Sequence, residues 1–131
     1  MLSLSTFAQS TETKIIIIGN NIGTQTMTFK QVKDVFSGNV KRWNNNLSVK
    51  IALPSSKHPH ANTVAKTLYL STYSGMQKFW LTLVFQGKSK PPIFLKSNKE
   101  IIEYVNKNSG SIGVIYDNPK LITQHNILYS K

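Results

Sequence analysis

Four consecutive isoleucines at positions 15 to 18, within the run KIIIIG, limit the possible folds more than any other feature of the chain. β-Branched side chains favour extended backbone, and a run without alternating polar residues is typical of a strand buried on both faces. Such a strand belongs in a sheet that is covered by helices on each side. The run therefore predicts an α/β protein whose first strand lies inside a parallel sheet.

The segments that follow have alternating helical and strand character. Residues 27–38 carry a helix-start signature, because Thr28 and Gln31 are spaced as a capping box, and Gly38 is placed to end the helix. With the strands at 14–19 and 48–54, this helix predicts a βαβ unit. Apolar spacing and short apolar runs predict three more helices, at 61–71, 74–87 and 97–110, and two more strands, at 111–116 and 126–129.

Two of these helices have predicted caps and a predicted buried face. Ser74 and Ser97 stand at the helix starts, each followed three residues later by Gln or Glu. The core face of helix 74–87 is predicted to consist of Phe79, Trp80, Leu83 and Val84. That of helix 97–110 is predicted to consist of Ile101, Ile102 and Val105. The sum is one α/β layer sandwich, with a mostly parallel sheet and helices on both faces.

The length of the chain suits one domain. We assign residues 11–131 of the 131 residues to a single α/β domain. Residues 1–10, MLSLSTFAQS, resemble the end of a signal peptide, with Thr6 and Ala8 at its small-residue positions, but lack a basic start and most of an apolar run. We expect this segment to be a residual signal-peptide tail or a disordered N-terminus. No run reaches the roughly 18 apolar residues of a membrane helix.

A strong positive charge is the main compositional feature. There are 16 basic and 5 acidic residues, with a formal net charge of +11. The resulting positive electrostatic potential attracts nucleic acid, anionic polymers and small oxyanions alike, so the charge alone does not identify the ligand. Arg42 is the single arginine and the lysines form no dense tract, so specific base readout is not supported. A generally solvated basic surface and a dedicated polyanion groove both stay open.

Three segments of the sequence together resemble a known family. In order, FKQVKDVFSGNVKRWNNNLSVKIALP, FWLTLVFQGKSKPP and SNKEIIEYVNKNSGSIGVIY are similar to phosphate-binding-protein-like (PstS-like) domains of the type 2 periplasmic-binding superfamily. The resemblance implies one lobe of a periplasmic-binding protein, without catalytic activity or cofactor. The residues in matching positions, between residues 14 and 117, are Phe36, Gly38, Trp43, Pro54, Trp80, Phe85, Gly87, Asn108, Gly110, Ile112 and Gly113.

The turn after the second strand is where the resemblance implies an oxyanion site. The family pattern there is Gly-Ser-Gly-Thr-Arg-like, whereas this chain has SSKHPHANT, with hydroxyls and a lysine but no glycine or arginine. Pro59 also removes a backbone donor, so any anion is expected to be held weakly. The candidate oxyanion-binding residues are Ser55, Ser56, Lys57, Asn62 and Thr63.

Other functional readings of the same sequence are weaker. His58 and His60 flank Pro59, but only His125 remains as a further histidine, so a metal site is not predicted. Glu100 and Glu103 lie near a helix start, where carboxylates favour the helix dipole without any catalytic role. Zero cysteines exclude thiolate metal sites and cysteine nucleophiles, and no nucleotide-binding or catalytic motif is present.

A second candidate surface lies in the polar turn KRWNNN. Lys41, Arg42 and Trp43 are candidates for contact with a partner, although Trp43 could instead fold back onto the sheet. The remaining aromatic residues mostly fall on predicted core faces, which favours packing over base stacking.

The sequence thus leads to two functional expectations. By resemblance, the chain is an exported, noncatalytic phosphate- or oxyanion-binding lobe at the cell envelope, with an ABC importer component as partner or a second lobe supplied by self-association. The alternative is a basic interaction module that binds anionic envelope polymers or a partner protein and has lost the ligand site. Specific nucleic-acid binding is not expected.

Overall fold

The structure of the chain is a computed structural model that describes residues 15–116 and the backbone of residues 127–130. Its strands are β1 (Ile15–Gly19), β2 (Lys50–Pro54), β3 (Ile93–Leu95), β4 (Ser111–Tyr116) and β5 (Ile127–Ser130). Its helices are α1 (Phe29–Phe36), α2 (Ala61–Tyr69), α3 (Tyr73–Phe85) and α4 (Asn98–Lys107). The expectations for residues 1–10 and for His125 lie outside the described residues.

The strands form one sheet in the order β3-β2-β4-β1-β5. Strand β2 pairs in parallel with β3 and with β4, whereas β1 pairs antiparallel with β4 and with β5. Four strands therefore run in one direction and β1 runs against them. This is the predicted α/β class with a mostly parallel sheet.

The first strand confirms one prediction and corrects another. All five residues of β1 are buried, as the isoleucine run predicts. However, β1 is antiparallel to its neighbours, and β4 lies between β1 and β2, so the predicted βαβ unit is wrong. The physical reason is that an unbroken apolar run reports burial on both faces and carries no information on strand direction. An antiparallel strand in the interior of a covered sheet is buried as fully as a parallel one.

Helices cover both faces of the sheet, and the isoleucines of β1 divide between them. Ile15 and Ile17 belong to the larger core cluster, beneath α1, α2 and α3. Ile16 and Ile18 belong to the smaller cluster, which α4 covers. The two-sided layer arrangement predicted from the sequence is therefore confirmed.

Helix caps follow the sequence with one exception. Thr28 and Gln31 form the predicted capping box of α1, and Ser97 accepts a hydrogen bond from the Glu100 backbone at the start of α4. Helix α3, however, begins one residue earlier than predicted and is capped by Thr72 and not by Ser74. Thr72 and Ser74 are two hydroxyl residues only two positions apart, and the first of them is the cap, accepting from the Gly75 N–H at 3.1 Å.

The buried face of α3 also differs from the prediction. Its buried residues are Met76 and Trp80, while Phe79 and Val84 keep 37% and 36% of their surface exposed. The main contact of α3 is with α2 and not with the sheet, so only a narrow strip of the helix is covered. Within the described residues, no helix is long and apolar enough to cross a lipid bilayer.

Candidate functional site

The carboxyl ends of the three parallel strands meet at one edge of the sheet. Strand β2 is followed there by the turn 55–60 and α2, strand β3 is followed by α4, and β4 ends at Tyr116. Both α2 and α4 therefore begin at this edge and direct their amino ends towards it. In open α/β sheets, ligands bind beyond the carboxyl ends of the strands, which makes this edge the first place to examine.

The turn after β2 is held by its own hydrogen bonds and by β3. The Ser55 backbone N–H donates to the Leu95 carbonyl at 2.7 Å, and the His58 N–H donates to the Ser55 carbonyl at 2.9 Å. The Ser55 hydroxyl accepts from the Lys57 N–H at 3.2 Å. This arrangement leaves the side chains of Ser56 and Lys57 exposed to solvent.

His58 is a buried structural residue, with only 4% of its surface exposed. Its Nδ1 accepts a hydrogen bond from the His60 N–H at 3.0 Å, so the neutral ring carries its proton on Nε2 and donates to Asn98 Oδ1 at 3.0 Å. Burial lowers the pKa of His58 below its usual value of 6.5; the Asn98 hydrogen bond opposes this, and the charge of His60 adds to it. Both ring nitrogens are therefore engaged in holding the turn.

Asn98 extends this network to the end of β4. Its side-chain Oδ1 also accepts from the Tyr116 N–H at 3.1 Å, and its Nδ2 donates to the Tyr116 carbonyl at 2.8 Å. The ring of His60 stacks on the Tyr116 ring with centroids 3.9 Å apart. Turn, helix and strand are thereby joined at the carboxyl edge of the sheet. No local sequence pattern predicts this network, because its members are far apart along the chain.

Helix α2 differs from the other three described helices at its amino end. Thr28, Thr72 and Ser97 cap the other helices with side-chain oxygens, whereas the residue in this position of α2, His60, makes no side-chain capping bond. The first turn of α2 contains no acidic residue. Its Asn62 and Thr63 backbone N–H groups have no acceptor within the part of the chain that the structure describes. Helix amino ends of this kind bind anions, because the donors and the helix dipole both favour negative charge.

Helix α4 starts at the same edge, but the positive end of its dipole is already compensated by residues of the chain. Ser97 caps it, and the Glu100 carboxylate accepts from the Lys96 N–H at 3.1 Å. A carboxylate in the first turn satisfies the helix dipole and repels a second anion. The donors of this edge that remain for a ligand are those of α2.

The five candidate residues lie on one short stretch around the start of α2. Ser55 shapes the turn, and Ser56, Lys57 and Thr63 present exposed side chains. Asn62 Oδ1 accepts from the Tyr73 N–H at 3.0 Å and so holds the start of α3, which leaves its Nδ2 group as the possible ligand donor. Burial raises the pKa of the Tyr73 hydroxyl above its usual value, and the Ser56 backbone opposes this rise.

The second candidate surface lies at the other end of the sheet. Trp43 is 9% exposed, and its Nε1 donates to the Gly110 carbonyl at 2.8 Å, so the indole folds back into the core and is not available to a partner. Partner contact therefore stays a prediction for Lys41 and Arg42, whose side chains are exposed. Among the described residues, no group of three or more His, Cys, Asp or Glu side chains is placed to hold a metal.

Solved structures with a similar fold include an ABC-type phosphate transport receptor and a PstS protein. An ABC-type phosphate transport receptor from Vibrio cholerae matches 88% of this chain and 46% of its own, with a TM-score of 0.65 and 11% identity. PstS from Borrelia burgdorferi matches 98% of this chain and 53% of its own, with a TM-score of 0.61 and 19% identity. The chain thus spans about half the length of these receptors. No protein-family model and no curated protein matches the sequence.

Proposed function

We propose that this chain is an oxyanion-binding lobe related to ABC-importer receptors, with phosphate as its first candidate ligand. The observation that carries the proposal is the uncapped amino end of α2, which lies at the carboxyl edge of a sheet shared with phosphate-transport receptors. The role is binding without catalysis.

The donors around α2 suit a tetrahedral oxyanion. The backbone N–H groups of Asn62 and Thr63 point along the helix axis, hydroxyls are supplied by Ser56 and Thr63, and the Lys57 ammonium adds a positive charge. Lysine forms a point contact and lacks the two-pronged geometry of arginine. We therefore expect an affinity well below that of a closed two-lobed receptor.

A second wall is needed for tight binding. The receptors of this fold are about twice as long as this chain, and a single lobe cannot exclude water from a bound anion. We propose that a second lobe, for example one supplied by self-association, completes the site, and that the assembly works at the cell envelope with an ABC importer component. Hinge closure between two lobes is the general way in which such proteins hold a ligand.

Calorimetric titration of phosphate into the purified protein at moderate salt tests the proposal. We expect saturable heat with phosphate, weaker heat with sulfate, and a several-fold loss of affinity in Lys57→Ala, because the ammonium contributes a charge-assisted contact. Lys66→Ala is the matched control, since it removes an exposed lysine from the last turn of α2, far from the amino end of that helix. Equal weak heats with both anions, or equal effects of both variants, would mean that the turn is only a connection.

A further inference from the structure

A separate cleft lies at the amino end of β2, at the opposite end of that strand from the turn 55–60. It has a volume of about 600 Å³ and is formed by the loop after α1, the start of β2 and the segment that follows α3. Apolar side chains such as Val40 and Ile93 form part of its wall, and Pro91 and Pro92 stiffen the segment after α3. Clefts of this size accommodate small ligands or a stretch of a polymer.

The cleft collects positive charge without compensation. Among the described residues, five cationic side chains line it and no carboxylate does. The ion pair between Lys30 and Asp34 is on α1, away from this lining. Like charges around one cleft repel each other, so an anion that neutralises them is favoured there. The five cations are Lys41, Arg42, Lys50, Lys88 and Lys90.

Hydrogen bonds to the backbone hold three of these cations in place. Lys41 Nζ donates to the Lys88 carbonyl, Arg42 Nη1 donates to the Asn46 carbonyl at 2.9 Å, and Lys50 Nζ lies 3.5 Å from the Ser109 carbonyl. A carbonyl orients an ammonium group but leaves its charge in place. The ammonium groups of Lys88 and Lys90 make no hydrogen bond or ion pair with the described residues, and both side chains are exposed.

From this arrangement we propose that the cleft binds a chain of linked phosphate groups. A single orthophosphate is too small to contact five cations spread around 600 Å³, whereas several phosphates in series can meet them one after another. Of the lining residues that the structure describes, Tyr104 is the only aromatic one, and it is half-buried, so they offer no platform on which successive bases could stack. Recognition here rests on the number and spacing of negative charges.

The ligand chemistry is that of consecutive phosphates, and it has two sources. One is free inorganic polyphosphate, and the other is an envelope polymer with phosphate in its backbone. This cleft lies apart from the turn 55–60, and ligand binding in it does not depend on the function proposed above.

Binding measurements with charge-matched variants test this proposal. The probes are inorganic polyphosphate, a glycerol-phosphate polymer, orthophosphate and a single-stranded oligonucleotide with a similar number of phosphates. Lys88→Gln/Lys90→Gln is compared with Lys66→Gln/Lys78→Gln, which removes the same charge from exposed positions on α2 and α3. Thermal unfolding of both double variants verifies that they are folded.

We expect the cleft variant to lose affinity for polyphosphate or the glycerol-phosphate polymer by about tenfold at low salt, because two phosphate contacts are lost. In the control variant, the affinity for the same polymer should change by less than about twofold, since distant exposed charges are screened. Of the two polymers, the one bound more tightly identifies the source.

Three results would overturn the proposal. Equal losses in the two double variants would mean that the general positive field attracts the polymer. Tighter binding of the oligonucleotide than of either phosphate polymer would favour nucleic acid. If Lys57→Ala lost polyphosphate binding and Lys88→Gln/Lys90→Gln kept it, the polymer would bind at the turn 55–60 and not in the cleft.

Discussion

At the scale of single residues, buried hydrogen bonds connect parts of the chain that no sequence pattern relates. His58 joins the turn after β2 to Asn98, and Tyr69 joins three helices. From the sequence, His58 and His60 belong to a polar turn with no predicted metal site, and histidines in such a turn look solvent-exposed. Its burial depends on the positions of α4 and β4, which are distant in sequence.

His58 makes the stability of the fold depend on pH. Its pKa in the folded protein is lowered from 6.5, so the unfolded chain binds more protons near that pH, and the free energy of unfolding rises with pH. The stabilisation is present above about pH 6.5 and is lost as the pH falls towards the folded pKa. Protonation also turns Nδ1 into a donor that faces the His60 N–H.

Urea unfolding of the wild type and of His58→Gln at several pH values measures this effect. We expect the wild type to lose stability below about pH 6.5 and the variant, which cannot titrate at this position, to show a shallower dependence. His60→Gln is the control, because it retains His58 and removes only the smallest cause of its lowered pKa, so most of the pH dependence should remain. Parallel pH curves for wild type and His58→Gln would show that His58 is not the titrating group.

Tyr69 is a second residue whose buried hydrogen bonds should contribute measurably to the stability of the fold. Its hydroxyl donates to the Phe36 carbonyl at 2.6 Å and accepts from Trp80 Nε1 at 2.9 Å, and burial raises its pKa well above the usual value. Tyr69→Phe leaves both partners unpaired inside the protein, which costs about 1–3 kcal/mol of unfolding free energy. Tyr104→Phe is the matched control, because the Tyr104 hydroxyl has no hydrogen bond to the described residues and should change stability little.

At the scale of elements, the caps and apolar faces of the helices were largely predictable, and the pairing of strands was not. The capping box of α1 and the apolar face of α4 are local patterns, so they can be seen in the sequence. Strand β3 has three residues and follows Pro91 and Pro92, which gave no strand signal. The direction of β1 depends on how distant segments pack, and no local pattern contains it.

Strand β4 and helix α4 pack so closely at Gly113 that any larger residue there would overpack the core. A Cβ at this position would lie 2.8 Å from Ile101 Cγ2 and 3.1 Å from Val105 Cγ2. We expect Gly113→Ala to destabilise the fold by about 1–3 kcal/mol through overpacking. In an Ile101→Ala background, which removes the nearer methyl group, the added cost of Gly113→Ala should be smaller. Chemical denaturation of the four proteins gives this coupling directly, and simple additivity would argue against the close contact.

The amino end of α2 allows ligand binding to be separated from helix stability. Thr63→Glu places a carboxylate in the uncapped first turn, where it favours the helix dipole by about 0.3–1 kcal/mol. The same carboxylate occupies the donors and repels an anion, so phosphate binding should be lost while thermal stability is kept or slightly raised. Thr67→Glu, one turn later on α2, is the control and should retain binding. Retained phosphate affinity in a folded Thr63→Glu protein would exclude this helix end as the site.

At the scale of the whole molecule, the two proposed anion-binding regions lie at opposite ends of the sheet. The sequence singled out the hydroxyls and the lysine of SSKHPHANT as oxyanion-binding candidates, and Lys41 and Arg42 as candidates for partner contact. It could not show that Lys88 and Lys90 meet Lys41 and Lys50 in one cleft, because these residues come from different loops. Nor could it show which helix lacks a cap, since His60 takes this position only in the folded turn.

The central claim is that the start of α2 binds an oxyanion, and amide chemical shifts followed by NMR during a phosphate titration test it most directly. We predict that the backbone N–H signals of Asn62 and Thr63 shift in a saturable way with phosphate, and that sulfate at equal ionic strength shifts them less. Signals around Lys88 and Lys90 should respond to polyphosphate and only weakly to orthophosphate. Unchanged Asn62 and Thr63 signals in the presence of phosphate would contradict the account, because these are the donors that it assigns to the ligand.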